Sequence, residues 1–123
     1  MHSPNLVLLQ GDSRIAQSLS VALAGSFRVV FIATSLEELH RGIAKHRAKV
    51  AILDMEMASI PDLEKLRREF PEASIVCNHR LADWQMWAEA LNAGAVDMCH
   101  SADTRSIVSA AVRSRTRALS AAA

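Results

Sequence analysis

The sequence contains little of what several classes of protein depend on. Its 123 residues include no tyrosine, only 4% aromatic residues and only two cysteines. Cys77 and Cys99 lie in apolar segments and do not form a C-x-x-C spacing, which predicts free buried thiols rather than a disulfide framework. Free thiols are typical of a reducing compartment, so we expect a cytoplasmic protein.

Strong charge and long apolar runs are also missing. The chain carries 14 basic and 13 acidic side chains, and a formal net charge of +1 gives no field that would favour nucleic acid or a membrane surface. No apolar run approaches the roughly 18 residues of a membrane helix, and the N-terminus lacks a signal-peptide pattern. We therefore expect neither nucleic-acid binding nor membrane insertion through this chain.

The residues that are present have the composition of an ordinary globular protein. Half of them are apolar, and a chain of this length fits one domain, residues 1–123, that buries roughly two thirds of the surface exposed on unfolding. Short apolar runs, several of them rich in β-branched residues, predict strands at residues 5–9, 27–32, 49–54, 74–77 and 95–99.

Helical periodicity fills the segments between these strands. The helices are predicted to begin near Ser13, Ser35, Pro61, Asp83 and either Asp103 or Thr104. Ser35 and Glu38 also have the spacing of a capping box. Five strands that alternate with five helices predict an α/β fold, in which a parallel sheet is covered by helices on both faces.

Residues 49–54 are the most informative stretch, because this short apolar run ends abruptly in a carboxylate, Asp54. Such a run predicts a strand that is buried on both faces, as in parallel sheets. Open α/β sheets bind their ligands outside the carboxyl ends of the strands. Asp54 is therefore the first candidate site residue.

Asp54 stands at the end of the third predicted strand, Met57 follows three residues later, and Gly94 and Ala95 precede the fifth strand. With these residues and this order of elements, the chain resembles the receiver domain of two-component response regulators. The resemblance covers nearly the whole chain. It implies a flavodoxin-like (βα)5 fold with strand order 2-1-3-4-5. It also implies that Asp54 occupies the phosphoacceptor position, and that the partner is a histidine kinase or a downstream effector protein.

The same resemblance shows where the sequence departs from the family. In receivers an acidic pair after the first strand binds Mg²⁺, a hydroxyl residue follows the fourth strand, and a lysine follows the fifth. Here the acidic pair falls on Gln10 and Gly11, the hydroxyl position on His79, and the lysine position on Ser101. Met98 stands at the position of the aromatic residue that moves on activation in receivers. Asp12 stands one residue beyond the acidic pair. We therefore expect no cofactor, with Mg²⁺ bound by Asp54 and Asp12 only if phosphorylation is retained.

These departures favour a non-enzymatic pseudo-receiver that signals through protein contacts independently of phosphorylation. In this interpretation Asp54 caps the loop that follows it or pairs with His79. One alternative is a functional phospho-accepting response regulator that uses Asp54, with Asp12 and His79 in place of the missing groups. Another is a metal- or redox-responsive sensor built from Cys77, His79 and Cys99, since zinc prefers cysteine and histidine ligands.

Trp84 and Trp87 lie one turn apart on the predicted fourth helix. Their spacing allows two interpretations. Either both pack onto the sheet, or they form a partner-binding face, since tryptophan is enriched in such surfaces. Receivers commonly bind partners around helix four, strand five and helix five, so the resemblance favours the partner-binding face. The resemblance also allows a homodimer through the last helix.

Overall fold

A computed structural model describes residues 3–122, and it describes side chains up to residue 118. Strands and helices alternate along the chain: β1 (Leu6–Leu9), α1 (Ser13–Leu23), β2 (Val30–Ala33), α2 (Leu36–His46), β3 (Val50–Asp54), α3 (Ile60–Glu69), β4 (Ser74–His79), α4 (Trp84–Asn92), β5 (Asp97–His100) and α5 (Thr104–Ala122). None of the described helices is long and apolar enough to cross a membrane.

The five strands form one parallel sheet in the order β2-β1-β3-β4-β5. This order confirms the predicted flavodoxin-like fold. The strand order reverses between β1 and β3, where Leu9 is in register with Leu53. A reversal of this kind opens a crevice at the carboxyl ends of the two strands, since their helices leave toward opposite faces. Asp54 is the last residue of β3 and therefore lies beside this crevice.

The core consists of two apolar clusters, one on each face of the sheet. Alternate strand residues feed opposite clusters, so that Val7 and Leu53 contribute to one and Leu8 and Ile52 to the other. The first cluster is completed by α2, α3 and α4, and the second by α1 and α5. Burial on both faces explains why β1 and β3 read as uninterrupted apolar runs.

Polar side chains fix the start of each helix through α4. The Asp12 carboxylate accepts a hydrogen bond from the Arg14 backbone N–H at 2.8 Å, so Asp12 is the N-cap of α1. At α2 the predicted capping box is only half formed. The Ser35 hydroxyl accepts from Glu38 N–H at 3.1 Å, but the Glu38 carboxylate accepts from the backbone N–H and hydroxyl of Thr34 instead of from Ser35.

Three strand boundaries differ by two or more residues from those predicted, and one of them is the start of β5, which lies at Asp97 instead of residue 95. β2 begins at Val30, three residues late, because the N–H of Phe27 turns back to the Leu23 carbonyl and Phe27 packs as a buried side chain instead. β4 continues two residues beyond Cys77 to His79. This extension matters for function, because it places Asn78 in register with Asp54.

Candidate functional site

Asp54 is held by main-chain amides on both sides of the crevice. Its side chain is buried, with 5% of the residue exposed. Oδ2 accepts a hydrogen bond from Gly11 N–H in the β1–α1 loop, and Oδ1 accepts one from Glu56 N–H in the β3–α3 loop, each at 2.9 Å. The carboxylate therefore caps the loop that follows it.

The alternative pairing of Asp54 with His79 does not form. Asn78, not His79, is in register with Asp54, and adjacent residues of a strand point to opposite faces. His79 Nδ1 instead accepts a hydrogen bond from Leu81 N–H at 3.0 Å.

Next to Asp54 lies a buried network of neutral side chains, which we call the amide network: Gln10, Asn78 and Ser101. Gln10 Nε2 donates to Asn78 Oδ1 at 2.7 Å, and Asn78 Nδ2 donates back to Gln10 Oε1 at 2.9 Å. Asn78 Nδ2 also donates to Ser101 Oγ at 2.8 Å. The network thus ties the carboxyl ends of β1, β4 and β5 together, and it carries no charge.

The alternation of side chains along the strands brings these groups to one face of the sheet. Each stands two residues after a buried member of the second cluster, the pairs being Leu8 and Gln10, Ile52 and Asp54, Val76 and Asn78, and Cys99 and Ser101. The sequence analysis did not identify Asn78, because the apolar run stops at Cys77. If the fourth strand had been predicted to be as long as β3, it would have included Asn78.

A cavity of about 490 Å³ opens above Asp54, which we call the Asp54 cleft. Gly11, Asp12 and Met57 line it, together with an ion pair between Arg80 Nε and Glu56 Oε1 at 2.7 Å. This pair joins the loop after β3 to the loop after β4. Neither member was singled out in the sequence. The mouth of the cleft therefore has a cation nearby, but one already paired with a carboxylate.

Comparison with known proteins identifies the architecture. No family model matches the sequence, and no curated protein sequence matches it. Solved structures do match. The signal receiver domain of the response regulator NarL from Mycobacterium tuberculosis superposes with a TM-score of 0.82 at 20% identity, covering 94% of this chain and 98% of its own. The chain has the fold of a receiver domain.

Two further receiver structures support the same assignment of fold. The receiver domain of Francisella response regulator 1452 gives a TM-score of 0.80 at 18% identity, with 93% of this chain and 98% of that chain covered. A CheY-like receiver domain protein from Methanospirillum hungatei gives 0.81 at 18% identity, with 95% and 97% covered. The resemblance drawn from the sequence is confirmed at the level of the fold.

The residues at the metal end of the receiver cleft do not fit Mg²⁺. This ion demands near-octahedral oxygen coordination and usually takes one or two carboxylates. The Gln10 amide is occupied by Asn78, Gly11 has no side chain, and Asp12 already caps α1. Across the part of the chain with described side chains, no three His, Cys, Asp or Glu groups come close enough to hold a metal ion.

Two further residues that the resemblance assigned to switch positions are buried. Ser101, predicted at the lysine position, is 3% exposed, and its hydroxyl accepts from Asn78. Met98, predicted at the position of the mobile aromatic residue, is 8% exposed and belongs to the first cluster together with Cys77.

The two cysteines lie on opposite faces of the sheet, Cys77 in the first cluster and Cys99 in the second. They therefore cannot converge with His79 on one metal ion. Burial raises the pKa of the Cys77 thiol to about 12 and that of the Cys99 thiol to about 11. Thiols that stay protonated at neutral pH are poor nucleophiles. The geometry thus lacks the site that the sensor alternative requires.

Of the two interpretations of Trp84 and Trp87, packing onto the sheet is wrong, and the partner-binding face stays a prediction. Trp84 is 80% exposed and Trp87 46% exposed. α4 instead turns Met86 and Ala90 toward the first cluster, and Ala90 is fully buried. The two indoles are therefore exposed on α4, and Met86 and Ala90 occupy the face of the helix that packs on the sheet.

Proposed function

We propose that this chain is a non-enzymatic, receiver-like signalling module of the two-component type, which acts through protein contacts independently of an acyl phosphate on Asp54. The observation that carries the proposal is the amide network. Gln10, Asn78 and Ser101 satisfy one another where a receiver would present a metal ligand and a lysine. The site is therefore complete without an ion or a phosphoryl group.

Phosphoryl transfer works mainly by positioning and by neutralising charge. To bind Mg²⁺, Gln10 would first have to leave two buried hydrogen bonds to Asn78, which costs about 1–3 kcal/mol for each group left unpaired. Ser101 offers no positive charge to the phosphoryl oxygens, so a charge-assisted hydrogen bond of about 1.5–3 kcal/mol is also lost. Both deficits oppose the same reaction, and they support an output independent of phosphorylation.

The exposed face of α4 supports a protein partner, either a histidine kinase or a downstream effector. Tryptophan is enriched among the residues that dominate binding energy at interfaces. Beside Trp87 a cavity of about 270 Å³ continues onto α5, where Arg113 pairs with Asp97 at 3.3 Å. An aromatic surface next to an ion pair that can exchange partners suits a protein interface, and a homodimer through α5 would use the same region.

A phosphorylation assay tests the proposal. The protein is incubated with a small acyl phosphodonor and Mg²⁺, and its intact mass is compared with that of the Asp54→Asn variant. We expect no Mg²⁺-dependent addition of a phosphoryl group to either protein. Stoichiometric labelling that requires Mg²⁺ and disappears in Asp54→Asn would establish the alternative, a phospho-accepting regulator, and would overturn the proposal.

A matched variant sharpens the assay. Ser101→Lys restores the cation of the receiver pattern, and Gln10→Asp restores one carboxylate and removes half of the amide pair. If the amide network is what blocks the reaction, the double variant gains Mg²⁺-dependent labelling that the natural sequence lacks. Labelling of the natural sequence at the same rate as the double variant would contradict the role given to the network.

A further inference from the structure

A second cavity lies at the edge of the sheet opposite the Asp54 cleft, and we call it the basal cavity. Its volume is about 560 Å³. It lies where the chain enters β1, β2 and β3 and where α2 ends. The side chains that line it include five basic ones, Arg28, Lys45, His46, Arg47 and Lys49, and no aspartate or glutamate.

The charge of the protein is concentrated at this cavity. Four of the 14 lysines and arginines line it, so the rest of the chain holds 10 basic and 13 acidic side chains and has a net charge of −3. Lys49 pairs with Glu72 at 2.9 Å. Within the described side chains, Arg28, Lys45 and Arg47 take part in no ion pair. A nearly neutral protein thus gathers unpaired cations around one concave surface.

The helix dipole accounts for only part of this arrangement. Lys45, His46 and Arg47 stand at the C-terminal end of α2, where positive charge is favourable. Arg28 and Lys49, in contrast, come from the segments that lead into β2 and β3. They belong to no helix end, yet they face the same cavity.

Arg47 ends α2 in a backbone conformation that favours glycine. It is the only non-glycine residue in residues 3–122 with positive φ, at φ 49° and ψ 46°. Its N–H caps the Ile43 and Ala44 carbonyls, which a glycine would do without the penalty of the left-handed region. The helix end therefore does not account for an arginine here, and the arginine side chain lines the basal cavity.

Asn5 adds an unpaired acceptor to the wall of the basal cavity. Its Nδ2 donates to the His46 carbonyl at 2.8 Å, while its buried Oδ1 receives no hydrogen bond from the described residues. The His46 ring is held against Phe31, with ring centroids 4.9 Å apart. Buried polar atoms are nearly always paired, so the unpaired Oδ1 is an unusual feature of a residue that lines the cavity.

We propose that the basal cavity binds a small ligand that carries two or more phosphate groups and is of nucleotide size. Its volume lies within the range of about 300–1,000 Å³ for small-molecule sites. Arginine matches phosphate with paired N–H groups, and lysine adds point charge. Five residue steps separate Lys49 from Asp54, about 16 Å along an extended strand, so the site is independent of the Asp54 cleft.

Calorimetric titration of the full chain at low ionic strength tests the proposal with three probes, ATP, tripolyphosphate and adenosine. We expect saturable binding of ATP with a stoichiometry of one and weakening by salt, binding of tripolyphosphate, and none of adenosine. The Arg28→Gln and Arg47→Gly double variant should bind ATP at least about tenfold more weakly, since it removes two charged contacts. Arg47→Gly also relieves the left-handed backbone, so misfolding would not explain the loss.

Arg68→Gln is the matched control, because Arg68 is exposed on α3, makes no ion pair in the described structure and lines none of the described cavities. It should bind ATP like the natural sequence, and so should Asp54→Asn, whose change lies at the other edge of the sheet. The proposal is overturned if ATP shows no saturable binding or if adenosine binds as well as ATP. It is also overturned if Arg68→Gln weakens ATP binding as much as the double variant does. Tighter binding of a DNA duplex, with the same dependence on Arg28 and Arg47, would overturn it as well.

Discussion

Replacement of Asn78 by alanine should destabilise the protein more than the loss of one side chain usually does. Asn78 is fully buried and takes part in three hydrogen bonds, two with Gln10 and one with Ser101. Each is worth about 1 kcal/mol net, and the Gln10 amide and Ser101 hydroxyl are left buried without those partners at about 1–3 kcal/mol each. Partial relaxation of Gln10 toward the cleft reduces the sum. We expect a loss of about 3–5 kcal/mol in the free energy of unfolding.

Urea unfolding followed by circular dichroism measures this loss, with the slope used to confirm that the unfolded surface is unchanged. Ser101→Ala removes only one of the three bonds and should cost about 1–2 kcal/mol. The Gln10→Ala and Asn78→Ala double variant should lose less than the two single variants together, with a coupling of about 1–3 kcal/mol. A loss below about 1 kcal/mol for Asn78→Ala, or strict additivity in the cycle, would refute the amide network as described.

Three further predictions follow from packing and burial. Gly94→Ala should lower the free energy of unfolding by at least about 2 kcal/mol, because φ is +109° and a Cβ would lie 2.6 Å from Arg67 Cγ. Gly25→Ala is the control and should be neutral, since its Cβ would meet nothing within 4 Å. Thermal unfolding measures both variants, and equal losses of stability would contradict the prediction. The raised pKa of Cys77, about 12 against an ordinary 9.0, means that the unfolded thiol ionises first. The contribution of Cys77 to the free energy of unfolding should therefore fall by up to about 1.4 kcal/mol per pH unit between about pH 9 and 12, and the total slope should shrink by this amount in urea titrations of Cys77→Ala. Trp84→Ala should change stability by less than about 0.5 kcal/mol, since the residue is 80% exposed, and a larger loss in urea would show that the indole is packed.

The fold could be predicted from the sequence because each central strand is buried on both faces. β1 and β3 read as apolar runs of strand length, and the capping residues Asp12 and Asp83 mark two helix starts. The predicted strand boundary is wrong where a residue is apolar because it packs in the core from outside a strand. Phe27 is apolar because it fills the second cluster from a turn, so the sequence placed it in β2 three residues too early.

The site could be predicted only in part, because its main member does not look like a site residue. Asn78 gains its role from the register of β4 against β3, and register is not visible in a single strand. The sequence also did not show which face of α4 packs against the sheet. Trp84, Trp87 and Leu91 have helical spacing, but Met86 and Ala90 lie one step away on the same helix and are the ones that pack.

The structure suggests how a receiver fold can do without its ion. Polar groups at the carboxyl edge of the sheet are buried, and buried polar groups must be satisfied either by a ligand or by one another. An acidic pair after β1 would repel Asp54 and needs a cation. The Gln10 amide donates one hydrogen bond to the Asn78 amide and accepts one from it. The Asp54 carboxylate accepts its hydrogen bonds from two backbone amides, those of Gly11 and Glu56. The hydrogen bonds of the amide network hold the carboxyl edge of the sheet without a charged group. Under the proposed function, a signal that changes this protein enters elsewhere, at the α4 surface or at the basal cavity.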